Sequence, residues 1–305
     1  MSLFNEIQRL KAQIADTKRM INLVGNHPLM NESLSKKLHY LKDKLEKIPK
    51  DLIEPKITLL FSGTAVKGSL GIKSKFVSKT IKPFQELIKT QTALVRFGTL
   101  GKRGQAKKSA NSDLYLTALP TGSFGYELSQ LESNDLFDEQ DVANGIQDVM
   151  KLIDSVATSD EKFEEAIENV PQRNLNNLRE FLKEISDENS ILKMESGNFG
   201  IYISEEKIHQ AFDRVDSTKN NETEVYIKGT LRGILLDSAK FEMVDENGKS
   251  INGFINSEIP EDKLIQYDKD FLNNECLFYL FEHKRTFKTG KEKTTFELIK
   301  IQHLK

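Results

Sequence analysis

The sequence predicts an α+β protein made of an N-terminal antiparallel helical hairpin, a central mixed sheet with helices, and a small five-stranded β-barrel at the C-terminus. Three observations support this division. Apolar residues recur at helical spacing before Pro49, and short apolar runs then alternate with glycine turns and helical segments. After a polar stretch at residues 216–222 the pattern becomes that of strands. We therefore expect domains at residues 1–50, 55–217 and 223–305.

The composition is that of a folded protein with a charged surface, since 38% of the 305 residues are hydrophobic and 30% are charged. The one cysteine, Cys276, excludes an internal disulfide and a multi-cysteine metal site, and it fits the reducing cytoplasm. No apolar run approaches the length of a membrane span. The five histidines show no metal-ligand spacing. We therefore expect a cytoplasmic protein with no metal, no cofactor and no membrane contact.

Charge is strongly segregated along the chain. Residues 1–128 carry a net charge of +12, whereas residues 131–190 carry −11, although the whole chain has a net charge of only −2. Opposed blocks of this kind either face each other, within one chain or between subunits, or leave a basic face available to a polyanion. The sequence leaves both arrangements open.

Two helices joined by a tight turn are predicted for the first fifty residues. In each helix the apolar positions follow the alternating four- and three-residue spacing of coiled-coil-like packing. Between the helices, Gly25 ends the first one and Pro28 prevents its continuation. The seam of the hairpin consists of Leu3, Ile7, Leu10, Ile14, Ile21, Leu34, Leu38, Leu41 and Leu45.

A free two-helix hairpin with one seam would be only marginally stable. It also carries apolar residues outside the seam, namely Met20, Leu23, Val24, Leu29 and Met30. The hairpin therefore either packs on the body of its own chain or pairs with a second hairpin in a four-helix dimer interface. We favour the dimer, with the seam as the oligomer interface, because the hairpin ends at a proline and polar residues before the next domain begins.

Glycine turns punctuate the central domain. Strands are predicted at Ile57–Phe61, Leu114–Leu119 and residues 124–128, and a further strand at Ala93–Phe97. The pattern Gly, polar residue, Leu or Phe, Gly occurs three times, and we expect these turns to gather at one place in the mixed sheet. Helical spacing predicts helices around residues 76–88, 142–156, 163–167, 171–185 and 204–215, with a strand pair at 191–194 and 200–203.

The C-terminal part has the pattern of a small barrel. A long strand containing Gly229 and Gly233 precedes a hairpin with the turn Asn247–Gly248. A polar, helical connection at residues 260–272 then leads to two final strands. Three strands, a helical link and two strands resemble the oligonucleotide/oligosaccharide-binding (OB) barrel in strand order. An SH3-like barrel is the alternative, and residues 216–222 are predicted to be a linker.

One loop of the central domain approximates a phosphate-binding loop. Residues 63–69 follow a strand and precede a helix, but the lysine that should follow the second glycine is absent, so nucleotide hydrolysis is not expected. Backbone N–H groups and lysines at such a turn can still hold a small anion. The predicted anion-binding residues are Gly68, Ser69, Gly71 and Lys73, and the competing interpretation is a set of glycine turns at strand ends.

Two basic loops are candidate nucleic-acid contacts. Closely spaced cations with an aromatic residue can neutralise phosphates and stack a base, and the loop between the fourth and fifth OB strands is one that binds single strands. The alternative is a solvated tip that protects a sheet edge, since the barrel carries thirteen Lys/Arg against fourteen Asp/Glu. The first loop contributes Lys102, Arg103, Lys107 and Lys108, and the second contributes Lys284, Arg285, Phe287, Lys288, Lys291 and Lys293.

No residue pattern typical of catalysis is present in the sequence, and Cys276 is interpreted as a core residue. The leading hypothesis is a non-enzymatic, oligomeric cytoplasmic protein whose hairpin assembles subunits and whose other two domains bind protein partners. The alternative is a nucleic-acid-binding or nucleic-acid-sensing component, for example of a bacterial defence or DNA-maintenance system. A third hypothesis is the binding of a small anionic ligand at the central glycine turns.

Overall fold

The computed structural model describes the chain except for residues 1–2, 26, 49–52, 69, 98–111, 121–123, 133–135, 168–169, 237–238, 257 and 305. At residues 3, 5, 97 and 136–138 it describes the backbone alone. Helices and sheets occur together, as the predicted α+β class requires. None of the helices in the described part combines the length and the apolar character that crossing a bilayer requires.

The N-terminal hairpin consists of α1 (Leu3–Val24) and α2 (Pro28–Glu46). Gly25 has a positive φ of 56°, a conformation that glycine adopts without steric cost and that ends α1. Pro28 opens α2 at a position where its missing N–H is not needed. Lys44, near the end of α2, forms an ion pair of 2.9 Å with Glu6 at the start of α1. The two helices are therefore antiparallel, as predicted.

The central sheet has five strands in the order β4-β5-β1-β6-β7. Every pairing described in this sheet is antiparallel, so the prediction of a mixed sheet was wrong. Short connections dictate this direction for β4 with β5 and for β6 with β7, whereas tertiary packing sets the direction of β1 relative to β5 and β6, from which it is far apart in sequence. The strands are β1 (Lys56–Phe61), β4 (Tyr115–Ala118), β5 (Phe124–Ser129), β6 (Leu192–Ser196) and β7 (Phe199–Ile203), while β2 (Val66–Lys67) and β3 (Gly71–Ile72) form a separate ribbon.

The glycine turns do not gather at one place, contrary to expectation. Gly125 pairs with Leu60 near the end of β1, whereas Gly200 pairs with Glu195, which lies opposite Thr58 near the start of β1. Gly125 and Gly200, the last glycines of two of these patterns, therefore lie near opposite ends of β1, and residues 121–123 of the first turn are outside the described residues. Gly125 is required by its surroundings, since a Cβ there would overlap the carbonyl oxygen of Leu59.

Helix α3 (Ser74–Phe97) is longer than predicted. It continues past Pro83 and includes residues 93–97, so the strand predicted at Ala93–Phe97 was wrong. The physical reason is tertiary packing, because Ala93 is completely buried and Thr92 lies against Gly145 of the neighbouring helix. The other helices of this part are α4 (Leu136–Thr158), α5 (Asp160–Ala166), α6 (Gln172–Asp187) and α7 (Glu205–Ser217), close to their predicted positions.

The C-terminal strands close into a five-stranded ring in the order β10-β12-β11-β8-β9. The pairing of β10 with β12 is parallel and the other four pairings are antiparallel. The elements are β8 (Lys219–Leu235), β9 (Lys240–Asp245), β10 (Ser250–Ile255), α8 (Glu261–Phe271), β11 (Glu275–Thr286) and β12 (Glu292–His303). This element order agrees with the sequence-based prediction.

The predicted linker at residues 216–222 is regular structure. Helix α7 continues to Ser217 and β8 begins at Lys219, so only Thr218 lies between them. The first residues of β8 are ordered by pairing, since Lys219 lies opposite Thr286 and Glu222 opposite His283. The polar composition of this stretch therefore reflects an exposed strand, not a flexible connection.

Two hydrophobic cores lie on either side of this junction. The larger one fills the space between the central sheet and helices α3 to α7, and the smaller one fills the ring. Phe287 of the ring belongs to the larger core, where it is 4% exposed. The ring and the central part are therefore joined by packing as well as by the chain.

Candidate interaction sites

The predicted anion site is occupied by a carboxylate of the protein itself. The Lys73 ammonium donates hydrogen bonds of 3.0 and 2.7 Å to the two carboxylate oxygens of Glu188, and the Thr64 hydroxyl donates a third of 2.5 Å. These bonds hold the pKa of Glu188 below its usual value of 4.5. Gly68 and Gly71 lie on the β2–β3 ribbon, and Ser69 is outside the described residues.

This arrangement leaves the ammonium of Lys73 committed to an internal ion pair. A small anion at this turn would compete with Glu188 for the Lys73 ammonium, although that side chain remains about half exposed. The ribbon is thus fastened to the end of α6, which is a structural role.

The first basic loop, with Lys102, Arg103, Lys107 and Lys108, lies outside the described residues. The second basic loop is described completely and is not a solvated tip. The side chain of Phe287 packs edge-on against Phe163 of α5, with ring centroids 5.9 Å apart. The stacking position predicted for Phe287 is thus taken by an aromatic residue of the same chain.

Helix α5 also binds two polar groups of the same loop. The ammonium of Lys291 donates a hydrogen bond of 2.6 Å to Glu164, and the hydroxyl of Thr289 donates one of 2.8 Å to the other oxygen of that carboxylate. The Lys291 contact lowers the pKa of Glu164, and the same contact raises the pKa of Lys291. We call residues 287–291 the docked loop.

Arg285, just before the docked loop, is 8% exposed and donates hydrogen bonds to the backbone carbonyl oxygens of Ile167 and Val170. These carbonyls lie between α5 and α6, at a helix end whose carbonyl groups lack regular helical partners, and that of Ile167 also accepts a hydrogen bond from the Val170 N–H. Burial lowers the pKa of the Arg285 guanidinium. Arg285 therefore joins the ring to the central part and does not face solvent as a phosphate contact would require.

The remaining cations of the second basic loop stay closer to solvent. Lys288 is exposed, and Lys284 forms an ion pair of 2.7 Å with Glu292 on the neighbouring strand. That hydrogen bond raises the pKa of Lys284. Lys293 is half-buried on β12. The structure thus divides the six predicted residues into two groups. Arg285, Phe287 and Lys291 contact the central part, whereas Lys284, Lys288 and Lys293 lie on the ring.

The hairpin seam is buried within a single chain at its base. Ile7, Leu10 and Leu41 are buried, and the ring of Phe4 packs over Gly200 of β7 and near the Lys193 ammonium of β6. The first residues of α1 therefore dock on the central sheet of their own chain. The other described seam residues, Ile14, Ile21, Leu34, Leu38 and Leu45, are half-buried, and the Leu3 side chain is outside the described residues.

Apolar exposure is concentrated at the opposite end of the hairpin. Met20, Leu23, Leu29 and Met30 are 50%, 78%, 76% and 52% exposed, and with Val24 and Leu34 they line an open apolar groove of about 450 Å³. We call Met20, Leu23, Leu29 and Met30 the arm tip. The sequence had shown these residues as apolar positions outside the seam, but burial alone identifies them as the surface left uncovered.

The described residues hold no group of three or more His, Cys, Asp or Glu side chains placed to bind a metal ion. Cys276 lies in the interior of the ring, where burial raises the pKa of its thiol to about 11. It is therefore a poor nucleophile and metal ligand at neutral pH. Its placement agrees with the interpretation of this residue as part of the core.

Comparison of the chain with protein-family models, with curated proteins and with solved structures found no match.

Proposed function

We propose that this is a non-enzymatic assembly protein whose helical hairpin binds the hairpin of a second copy of the chain through the arm tip. The observation that carries the proposal is the exposure of four large apolar side chains at the free end of an otherwise docked hairpin. Contiguous apolar surface of this kind, rimmed by charged residues, is typical of protein interaction sites.

A second copy is the partner that the arrangement favours. The arm tip draws two residues from the end of α1 and two from the start of α2, so its apolar face spans both helices. A twofold axis at the tip places this face against itself and completes a four-helix packing, in which every exposed apolar residue meets another. The two methionines adapt their shape to such a contact. Coiled-coil-like packing of the seam is part of this proposal.

The proposal predicts that charge at the arm tip prevents dimerisation. Changing Leu23 and Leu29 together to Glu places four carboxylates in the paired interface, where they are desolvated and repel one another. Multi-angle light scattering is expected to give a dimer for the wild type and a mass of 34.8 kDa, that of one chain, for the variant. The matched control changes Leu70 and Leu131 to Glu. These two leucines are about as exposed as Leu23 and Leu29 but lie outside the hairpin.

The control variant is expected to remain dimeric, and circular dichroism is expected to show that both variants are folded. A wild-type protein that stays monomeric at high concentration would refute the proposal. Loss of the dimer in the Leu70 and Leu131 control as well would show that the effect is one of surface charge in general.

A second candidate function is the binding of single-stranded nucleic acid by the C-terminal ring. The observation that favours it is the strand order. The first strand pairs with the second and fourth, the third pairs in parallel with the fifth, and α8 connects the third to the fourth. We infer that the ring is an OB-type barrel, a class that binds oligonucleotides and oligosaccharides. The docked loop connects β11 to β12, the fourth and fifth strands of the ring, and so corresponds to the loop between the fourth and fifth strands of an OB barrel.

We also propose a cytoplasmic location. The support is chemical, because the one cysteine of the chain is a buried thiol of the ring core, as expected for a protein that folds in a reducing compartment. The three predicted domains remain part of the proposal, with one change in the boundary between the second and third. The uninterrupted passage from α7 to β8 supports a boundary at Thr218.

A further inference from the structure

The docked loop binds helix α5 with the same two kinds of contact by which a loop binds a single-stranded nucleic acid. We propose that α5 is an intramolecular mimic of a nucleic-acid strand, and that the ring binds single-stranded nucleic acid when the docked loop leaves α5. This inference rests on the second candidate function and adds a regulatory contact to it. The contact is autoinhibitory, because the same residues cannot bind α5 and a strand at once.

The first element of the mimicry is the carboxylate of Glu164, which stands where a phosphate would. Its two oxygens accept hydrogen bonds from Lys291 and Thr289, at 2.6 and 2.8 Å. A phosphate group presents anionic oxygens to the same donors, and ammonium and hydroxyl groups are common phosphate ligands. Neighbouring Glu161 and Glu165 extend the negative charge along α5 and act on the same ammonium.

The second element is the ring of Phe163, which stands where a base would. It meets Phe287 edge-on at 5.9 Å, and Phe287 keeps only 4% of its surface exposed. Sequence-independent binding of single strands combines phosphate contacts with the stacking of a base on an aromatic ring, a role open to Phe287 once it leaves Phe163. Phe163 and Glu164 are adjacent in α5, so one helical turn supplies both an aromatic face and an anion.

Some cations of the second basic loop do not bind α5 and lie at the edge of its contact with the docked loop. Lys288 is exposed within the docked loop, whereas Lys284 on β11 is paired with Glu292. A strand that replaced α5 would therefore find the positive charge of Lys288 beside that of Lys291. The apparent affinity of such a site falls in proportion to the small fraction of molecules in which the loop is open.

The test uses the full-length protein with Glu164→Lys, which replaces the attraction to Lys291 by repulsion. Fluorescence anisotropy with a labelled oligo(dT) of about 20 nucleotides at low salt measures binding. We expect the variant to bind at least about tenfold more tightly than the wild type, because the open fraction rises. Its affinity is expected to fall with increasing salt as phosphate contacts release counterions.

The matched control is Glu180→Lys, which makes the same charge change at an exposed position of α6. We expect it to bind as weakly as the wild type. A second opening variant, Phe163→Ala, removes the aromatic partner of Phe287 from α5 and keeps every side chain of the docked loop. Hydrogen exchange of residues 286–292 provides an independent measure of opening and is expected to be faster in both opening variants.

Two results would overturn the inference, and they differ in what they imply for the ring. If the wild type and both opening variants bind equally tightly, α5 does not inhibit, although the ring still binds nucleic acid. If neither opening variant changes the anisotropy at low salt, the ring does not bind single strands, and the second candidate function fails with the inference. A duplex of the same length is the comparison ligand. Tighter binding of the duplex than of oligo(dT) would also contradict the mimicry.

Discussion

At the scale of single residues, several functional predictions turn on which partner a side chain has. Lys73, Lys291 and Arg285 were predicted to contact an anion or a nucleic acid, and each is bound to an acceptor of its own chain. A lysine or arginine in a glycine-rich or charged stretch has the same sequence signature whether its partner is internal or external. The carboxylate or carbonyl that decides the matter lies more than a hundred residues away.

The carboxylate of Glu188 provides a test at this scale. Because its folded pKa lies below 4.5, its contribution to stability is complete above that value and is lost as the pH falls through the folded pKa. Glu188→Gln is expected to lower the free energy of unfolding by roughly 0.5 to 1 kcal/mol near neutral pH, since the pair is partly exposed.

Urea unfolding at a neutral pH and at an acidic pH below the folded pKa measures this effect. The wild type and Glu188→Gln are expected to differ at neutral pH and to converge at the acidic pH. Glu180→Gln, an exposed change on α6, is the control and is expected to have little effect at either pH. A difference between wild type and Glu188→Gln that persists unchanged in acid would show that Glu188 acts through packing and not through its charge.

Two glycines that lie within strands differ in the space that a larger side chain would find. Gly125 of β5 has no room for a Cβ, which would overlap the backbone of Leu59 and Leu60 on the neighbouring strand, whereas Gly233 of β8 has open space. Gly125→Ala is expected to destabilise the protein by about 3 kcal/mol, because backbone atoms must move to admit the methyl group. Gly233→Ala is expected to change stability by less than about 1 kcal/mol.

Thermal unfolding followed by circular dichroism distinguishes the two glycine variants. The Gly125 variant is expected to melt well below the wild type, and the Gly233 variant close to it. Equal melting temperatures for both variants would mean that β1 and β5 approach each other less closely than the structure describes.

At the scale of the elements, the register of the strands decides where the ring begins. Lys219, Asn220, Asn221 and Glu222 lie opposite residues 283–286 of β11, although their polar composition predicts a linker. The pairing extends β8 beyond the ring and brings the docked loop to α5. Helix α3 shows the same principle, because packing against α4 keeps its last turn helical where local composition favours a strand.

This register predicts that a fragment beginning at Thr218 is more stable than one beginning at residue 223. Both fragments keep the core of the ring, but the shorter one loses the backbone hydrogen bonds of four paired residues. We expect its melting temperature to be lower by about 5 °C or more. Circular dichroism of the two purified fragments measures the difference. Identical melting curves would restore the boundary predicted from the composition.

At the scale of the whole molecule, the acidic and basic blocks of the sequence face each other within one chain. Asp141 of α4 and Glu184 of α6 form ion pairs with Arg96 and Lys79 of the basic block. Glu164 of α5 pairs instead with Lys291 of the ring. The acidic block thus lies between the basic helix α3 and the basic loop of the ring. These ion pairs neutralise part of the basic surface that the charge pattern had suggested for a polyanion.

Within the described residues, the helical hairpin is covered by its own chain at one end and exposed at the other. Its base docks on the central sheet through Phe4, whereas the arm tip stays exposed at the far end of a helix of 22 residues. The proposed self-association and the proposed nucleic-acid binding use different residues and can be tested separately.

The sequence by itself determined the α+β class, the helical hairpin, most helix and strand positions and the order of elements in the ring. These features follow from local physics, since hydrophobic periodicity and the punctuation by glycine and proline act over a few residues. The four apolar residues of the arm tip were also visible in the sequence as positions outside the seam.

Only the tertiary structure decided the antiparallel sheet, the direct passage from α7 to β8 and the internal partners of the basic residues. Strand direction, register and ion pairing depend on residues far apart in sequence, and local composition does not encode which distant group becomes the neighbour. Phe287 illustrates the limit most clearly. Its position among lysines predicts an exposed stacking residue, yet contact with Phe163, more than a hundred positions earlier, makes it part of the central core.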